Sequence, residues 1–486
     1  MKRILLTGAA LLAFAATLQA QNTSSVSQNG NSQSNTITQT GSHNETVVRQ
    51  LTGTASMANT GNQASVTQNA TATLPTRNQA FIDQINGADY NQATITQTMG
   101  SGNRASIEQA GGNGFRSGGT SLADPASSSG GGEGTGNLAR ITQTGAGNDQ
   151  TSIRQSAGAL GGSGANVGRI TQVGNTNLGT VIEQSNKAYG NLATIAQGSG
   201  SGGATANTAV VGQNDDSQLN RASVVQEGAN KVADVQQSTR SSNNQLAVSQ
   251  LGIDGNATVY QVDQADHNQA TVRQTSSSSG GSNATVYQTN VSAYNMASIE
   301  QKGTVDNAFI NQSEQAKNNT ASITQGVGGN NNAAAITQTY AYDGAGNTMT
   351  TGSGNGVTIN QNLTTASTVG NQAEVTQGFA GGISTVSGNA VISDDNTVLI
   401  NQEQDVNVAK LQQGGVGNQA TVKQRGFSTL KGVDSGMMVN EVAEQLGNGN
   451  TLTMTQTGAA GNPATANVRQ VGIGNTGTIS QTLIGN

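Results

Sequence analysis

Asn418-Gln419-Ala420-Thr421-Val422-Lys423-Gln424 is one copy of a seven-residue phrase, N-x-A-x-[IV]-x-Q, that recurs along nearly the whole chain. Close copies begin at Asn62, Asn78, Asn91, Asn103, Asn137, Asn191, Asn207, Asn220, Asn268, Asn295, Asn319, Asn332 and Asn371. A unit this short and this often repeated requires one local geometry used many times. Its fixed positions lie two apart, the side-chain period of a β-strand, so Asn, Ala, Ile or Val, and Gln share one face. On a helix the same positions would be spread around the axis. The variable positions carry Thr, Ser, Arg, Lys and Glu, as at Arg104, Ser106 and Glu108, and predict a solvated face. Charge enters the fixed set mainly at the Asn slot, at Asp149, Lys231 and Asp306, where a corner would let the side chain reach water.

Successive terminal glutamines are most often eleven to thirteen residues apart, as in Gln28, Gln39 and Gln50 or Gln402, Gln413 and Gln424. Seven residues of strand leave four to six for a turn, and the turns are rich in Gly, Asn, Asp and Ser, which adopt positive φ cheaply. Because every strand keeps the same face, stacked rungs explain the pattern better than a hairpin meander. Like positions then lie above one another at about 4.8 Å. The predicted fold is all-β, a β-solenoid of strand-turn-strand rungs with two facing parallel sheets. About thirty-two strand units would give about sixteen rungs and a rod of about 75 Å at that spacing.

Amides have a donor and an acceptor end, so identical amides stacked at the strand spacing can bond along the axis as in cross-β assemblies. The predicted inward ladder includes Asn62, Gln68, Asn91, Gln97, Asn103, Gln109, Asn268 and Gln274. It continues through Asn319, Gln325, Asn407, Gln413, Asn418, Gln424, Asn475 and Gln481. Apolar residues make up 33% of the chain, below the roughly 45–50% of globular domains, which suits a thin core and not a thick one. Low hydrophobicity and 66 glycines would also suit disorder, but disorder requires no phase and this sequence keeps one.

Met1-Lys2-Arg3, the apolar run Ile4 to Leu18 and the sequence Leu18-Gln19-Ala20 together read as a secretory signal peptide over 1–20, with repeats over 21–486. Without cysteine there is neither a lipid-anchor site nor a disulfide framework. No later run has the length of an apolar membrane span. A net charge of −6, scattered over 486 residues, does not point to nucleic acid or a membrane surface as partner. The phase breaks near 111–136, 344–354, 380–396 and 426–440, which read as insertions at corners, where a solenoid tolerates them.

Chemistry is sparse. His43 and His267 each precede an Asn slot and read as solvated corner residues. Asp215-Asp216 and Asp394-Asp395 are paired carboxylates without a basic partner or metal-ligand spacing and read as turn residues. No enzyme, cofactor or metal site is expected. The repeats instead run from Asn22 to Gln481, so end rungs would expose unpaired backbone groups, an arrangement that invites pairing with another copy. Two alternatives accompany self-assembly. A secreted adhesin could act as a single rod, and an ice-binding solenoid would display outward T-x-T rows such as Thr36/Thr38, Thr94/Thr96 and Thr453/Thr455.

The spacing Gln402-x4-Asn407-x5-Gln413-x4-Asn418-x5-Gln424 resembles that of curlin, the amyloid subunit of bacterial curli fibres. Gln39, Asn44 and Gln50 keep it, as do Gln445, Asn450 and Gln456, and Gln470, Asn475 and Gln481. The chain departs from the family in beginning both strands with Asn, in its longer turns, as between Gln261 and Asn268, and in the length of its array. A Gly-rich N-terminal secretion address is not evident. The resemblance implies an extracellular fibre subunit of the biofilm matrix that mediates adhesion and aggregation. It also implies a nucleator subunit, an outer-membrane secretion channel and a periplasmic chaperone as partners.

Overall fold

A computed structural model of the chain describes residues 22–29, 33–51, 61–69, 77–85, 91–110, 137–156, 166–185, 188–198, 206–276, 280–326, 331–341, 353–362, 370–379, 393–404, 406–431, 442–459 and 463–483. Among them there is no helix, and the strands pair in parallel throughout. The predicted signal peptide over 1–20 and the insertion over 111–136 lie outside the described residues. The chain forms two compact units, Met1–Ser185 with Ala196–Ala206, and Asn186–Ile195 with Asn207–Asn486.

Each unit is a β-solenoid. In the first, strand Gln63–Asn69 pairs with Gln92–Thr98, which pairs with Leu138–Thr144, while Asn78–Ile85 pairs with Arg104–Ala110. Alternate strands therefore build two sheets, and consecutive strands face each other across the core. Register is set by identity: Ala64 lies against Ala93 and Ala139, Val66 against Ile95 and Ile141, and Gln68 against Gln97 and Gln143. A slip of one residue would turn this whole set to solvent, which is why the alternation fixes the pairing. The Ala and Ile or Val positions are buried, with Ile82, Ile95 and Ile141 fully so.

The second unit repeats the scheme. Arg221–Gln236 and Gln245–Gln261 each run through both legs of a rung and pair with each other in register from Arg221↔Gln245 to Gln236↔Tyr260. Its two corners differ in length. One joins Gln226 to Lys231 and Gln250 to Gly255 by four residues, and the other joins Gln213 to Asn220, Gln237 to Asn244, Gln261 to Asn268, Gln288 to Asn295 and Gln312 to Asn319 by six. The longer arc buries a small residue, Ser217, Ser241, Ala265, Ser292 or Ala316, at its middle. Its outer side stacks as single parallel bridges, from Tyr189 through Gln218, Ser242, Asp266, Ala293 and Lys317 to Ser353.

Among the insertions, those near 344–354 and 380–396 rejoin the described chain just before the corner residues Asn355 and Asn396. The one near 426–440 does not sit at a corner. Leu430 pairs with Ala409 and Ala443 pairs with Leu411, so the chain leaves and re-enters in the middle of a strand position. A strand can be split in this way because each half still finds its ladder on Val408–Val416.

The four-residue corners stack backbone on backbone. Gly447 has φ +105, and a Cβ there would lie 2.0 Å from the carbonyl oxygen of Gly472 in the next rung, whereas Gly449 has φ +65 and open space around it. Both glycines supply a left-handed conformation, but only the first also supplies close approach. Gly449→Ala is expected to cost about 1 kcal/mol and Gly447→Ala about 3 kcal/mol or more, read from urea denaturation. Equal losses would show that the corners do not stack as described.

Candidate functional site

The polar interior is the part of the molecule with chemical capacity, and it consists of two kinds of amide. The glutamines form continuous columns. In the first unit Gln39 donates to Gln68, Gln68 to Gln97 and Gln97 to Gln143, at 2.9, 2.8 and 2.8 Å. The other column runs Gln28, Gln50, Gln84, Gln109 and Gln155, at 2.6 to 3.0 Å. In the second unit Gln250 donates to Gln274, Gln274 to Gln301, Gln301 to Gln325, and the column continues through Gln361, Gln402, Gln424 and Gln456 to Gln481. Its companion passes Gln377, Gln413, Gln445 and Gln470. The second amide hydrogen ties the sheets together, as where Gln109 Nε2 reaches the Asn137 carbonyl at 3.0 Å.

In each of these columns Nε2 of the earlier rung donates to Oε1 of the later one. The columns in each unit are therefore polar. In the first unit the strand Thr23–Asn29 has Oε1 of Gln28 with no glutamine before it in its column, and in the second the strand Thr476–Thr482 has Nε2 of Gln481 with none after it among the described residues.

The asparagines do something the sequence reading missed. Asn Oδ1 accepts the backbone N–H of the Asn one rung on, as in Asn91 to Asn62 at 2.9 Å, Asn319 to Asn295 at 2.9 Å and Asn450 to Asn418 at 2.9 Å. Nδ2 donates to the carbonyl three residues before that next Asn. Examples are Asn103 to Gly145 at 2.8 Å, Asn268 to Ser292 at 3.1 Å and Asn418 to Gly447 at 2.7 Å. The acceptor residue is small wherever the corner is described: Gly100, Gly145, Gly174, Gly228, Ser241, Ala265, Ala316 or Gly472 among others. A small residue three places before most of these Asn was the signal for this clasp; Gln404 holds that place before Asn407, and Asn371 Nδ2 makes no such bond.

Of the predicted ladder residues, Asn62, Gln68, Asn91, Gln97, Asn103 and Gln109 lie buried in the first unit. Asn268, Gln274, Asn319, Gln325, Asn407, Gln413, Asn418 and Gln424 lie buried in the second. Asn475 and Gln481 are on its last described rung and are only half-buried.

The charged residues of the Asn slot do not reach solvent. Asn148, not Asp149, fills the slot in the first unit, because Gln150 adopts φ +53 and absorbs an extra residue before Thr151. Lys231 and Asp306 are buried in one corner column of the second unit that reads Asn207, Lys231, Gly255, Ser282, Asp306 and Asn332. Lys231 reproduces the donor half of the clasp with Nζ, 2.7 Å from the Gly252 carbonyl, and burial lowers its pKa to about 8 against the opposing field of Asp254. Asp306 reproduces the acceptor half. Its Oδ1 accepts from the backbone and side chain of Asn332, both at 3.1 Å, while Oδ2, placed where an asparagine has its donor, is buried without a hydrogen-bond partner. Burial pushes the acid up to about 7, the bonds from Asn332 opposing the shift.

The remaining candidates are at corners. His43 and His267 have φ 59 and φ 52 just before their Asn slots, and His267 lies 2.9 Å from Asp266 and stacks on Tyr294. Asp394 Oδ1 accepts from Ser353 N at 2.8 Å, and Asp215 and Asp216 turn the chain with φ 58 and φ 62. No cluster of three or more metal-ligating residues is present among the described residues. In comparison with known proteins, no family model matches the chain and no curated sequence matches it.

The folded state holds the Asp306 proton up to about pH 7, whereas the unfolded chain releases it at about 3.9. Protons bound by the folded state exceed those bound by the unfolded state in that window, so this group's contribution to stability falls as pH rises from about 4 to about 7 and then levels off. Asp306→Asn restores the missing donor and is expected to remove that slope and to stabilise the second unit by about 2–4 kcal/mol at pH 8. Urea denaturation at pH 4.5 and pH 8 checks it. A mutant with an unchanged slope would place the titration elsewhere.

Proposed function

We propose that this chain is a secreted structural protein whose copies join end to end into an amyloid-like fibre. The observation that carries the reading is the polarity of the glutamine columns. The first described strands of the first unit offer amide acceptors and the last described strands of the second offer amide donors, each in the same parallel geometry, so a second copy could continue the columns without a change of register. The exposed end strands supply the unpaired backbone groups that make such a joint extend the sheets as well. An interface of this kind is heterologous, and where its rotation does not close it produces an open filament.

The setting is a further part of the proposal. Export rests on the basic and apolar leader Met1 to Ala20, and a biofilm-matrix role resembling that of curli rests on the Q-x4-N-x5-Q spacing. On the same resemblance a nucleator, an outer-membrane channel and a periplasmic chaperone would be partners. No catalytic role is proposed. Ice binding is disfavoured because the double T-x-T row does not persist: Thr38, Thr67, Thr96, Thr142 and Thr171 share one line, but the line beside it reads Thr36, Ser65, Thr94, Arg140 and Arg169.

Gln470→Glu with Gln481→Glu replaces the open donors by carboxylates that would face the acceptors of the next copy. Fibre elongation, followed by thioflavin fluorescence with fibre diffraction at about 4.8 Å as the structural check, is expected to slow at least tenfold. Thr478→Glu with Ser480→Glu adds the same charge to the outward face of the same strand and should slow it far less. Equal slowing, or a wild-type chain that stays monomeric, overturns end-to-end growth.

A further inference from the structure

The outer surface of one sheet in the second unit has a gap. Along five consecutive rungs the row nearest the Asn slot reads Asn256, Asn283, Asn307, Ala333 and Gln372. The next outward row reads Thr258, Thr285, Phe309, Ala335 and Glu374. Only the strand Ala333–Ala341 has alanine in both rows, so one rung of surface side chains is missing and a cavity of about 390 Å³ opens there. Its size is at the lower end of the 300–1,000 Å³ typical of ligand pockets.

The walls are chemically specific. On one side, Asn256 donates to Asn283 and Asn283 to Asn307, both at 2.9 Å, and the series stops because Ala333 offers no side-chain acceptor. Asn307 Nδ2 is thus a donor at the rim of the gap. Beside it, Phe309 is packed against Tyr287 in an edge-to-face contact with centroids 5.7 Å apart, and Tyr287 lies 5.5 Å from Tyr260, which fixes the phenyl wall. On the other side stand Gln372 and Glu374, and the carboxylate is offset by Lys410, 3.8 Å away on the rung beyond.

The flanking rungs are about 9.6 Å apart, twice the strand spacing, which leaves a slot only one ring thick once side-chain radii are subtracted. A matching ligand is thin, has an apolar face for Phe309, and carries hydroxyls at its edge for planar groups that donate and accept in pairs. It is also uncharged, since the site's own charges cancel. We propose that this gap binds a pyranose residue of a neutral glycan chain, with the C–H face of the ring against Phe309 and vicinal hydroxyls on Asn307, Gln372 and Glu374. The site lies within one unit and does not depend on fibre growth.

The test is calorimetric titration of the full chain with cellohexaose, maltohexaose and mannohexaose. At least one is expected to bind. Affinity should fall at least tenfold in Phe309→Thr, which installs the residue found at Thr258 and Thr285, and in Ala333→Asn with Ala335→Thr, which fills the gap with the flanking residue types. Each variant is checked for unchanged strand content by circular dichroism, and either decides the matter if the other fails to fold. Absence of binding by all three oligosaccharides at millimolar concentration, or binding that survives in a folded variant, overturns the proposal.

Discussion

The hydrogen bond from one glutamine amide to the identical amide a strand spacing away is the interaction on which the rest of the structure depends. A buried primary amide left unpaired costs about 1–3 kcal/mol, and a solenoid with a thin core has little apolar surface to offset many of them. Stacking like on like removes the difficulty, because each Oε1 finds an Nε2 above or below it. It also enforces the parallel, in-register arrangement. A slip of one residue would set Gln274 against Ser249 or Leu251 in place of Gln250, and against Glu300 or Lys302 in place of Gln301, and break the amide column on both sides at once. The aliphatic residues fill space between the columns, and the columns set the register.

The asparagine clasp does a different task. It binds the start of one rung to the corner of the next, through backbone groups that the sheet ladder cannot reach. Corners of four and of six residues coexist in the second unit because the clasp asks only for a carbonyl three residues before the next Asn, carried by a residue small enough to pack inside. This also explains why Lys231 is accommodated and Asp306 is not fully satisfied. The clasp needs a donor, which an ammonium has and an ionised carboxylate lacks.

Much of this was legible in the sequence, for a physical reason. A period of two, held through residues such as Ala93, Ile95 and Gln97, specifies both the strand and its buried face, and identity between rungs specifies the stacking. What the sequence hid were features whose partner is backbone or lies far along the chain. Asp149 counts into the Asn slot, yet Asn148 holds it, because a single positive φ at Gln150 shifts the chain by one. Lys231 and Asp306 looked free to reach water because the closing carbonyls and amides belong to other rungs. The surface gap at Ala333 and Ala335 becomes visible only when strands separated by an insertion are laid side by side.

The outward charges bear on why growth would follow the axis. Arg49 pairs with Asp83, Arg154 with Glu108 at 3.2 Å, Arg273 with Glu300 at 3.5 Å and Arg469 with Glu444 at 3.1 Å, each across neighbouring strands of one sheet. Exposed pairs of this kind add little stability, about 0–1 kcal/mol each. Their effect is on what the side faces can offer. A charge already paired within its own copy is not available to bridge to another, and the hydrated side chains that remain keep the sheet faces from packing against one another. On the strand Thr23–Asn29, Val26 stands at an inward position of the repeat and is 44% exposed, unlike its neighbour Val48, which is fully buried. If copies join end to end as proposed, the outward residues that contribute least to the fold of one copy would be those that keep neighbouring fibres from associating through their sheet faces.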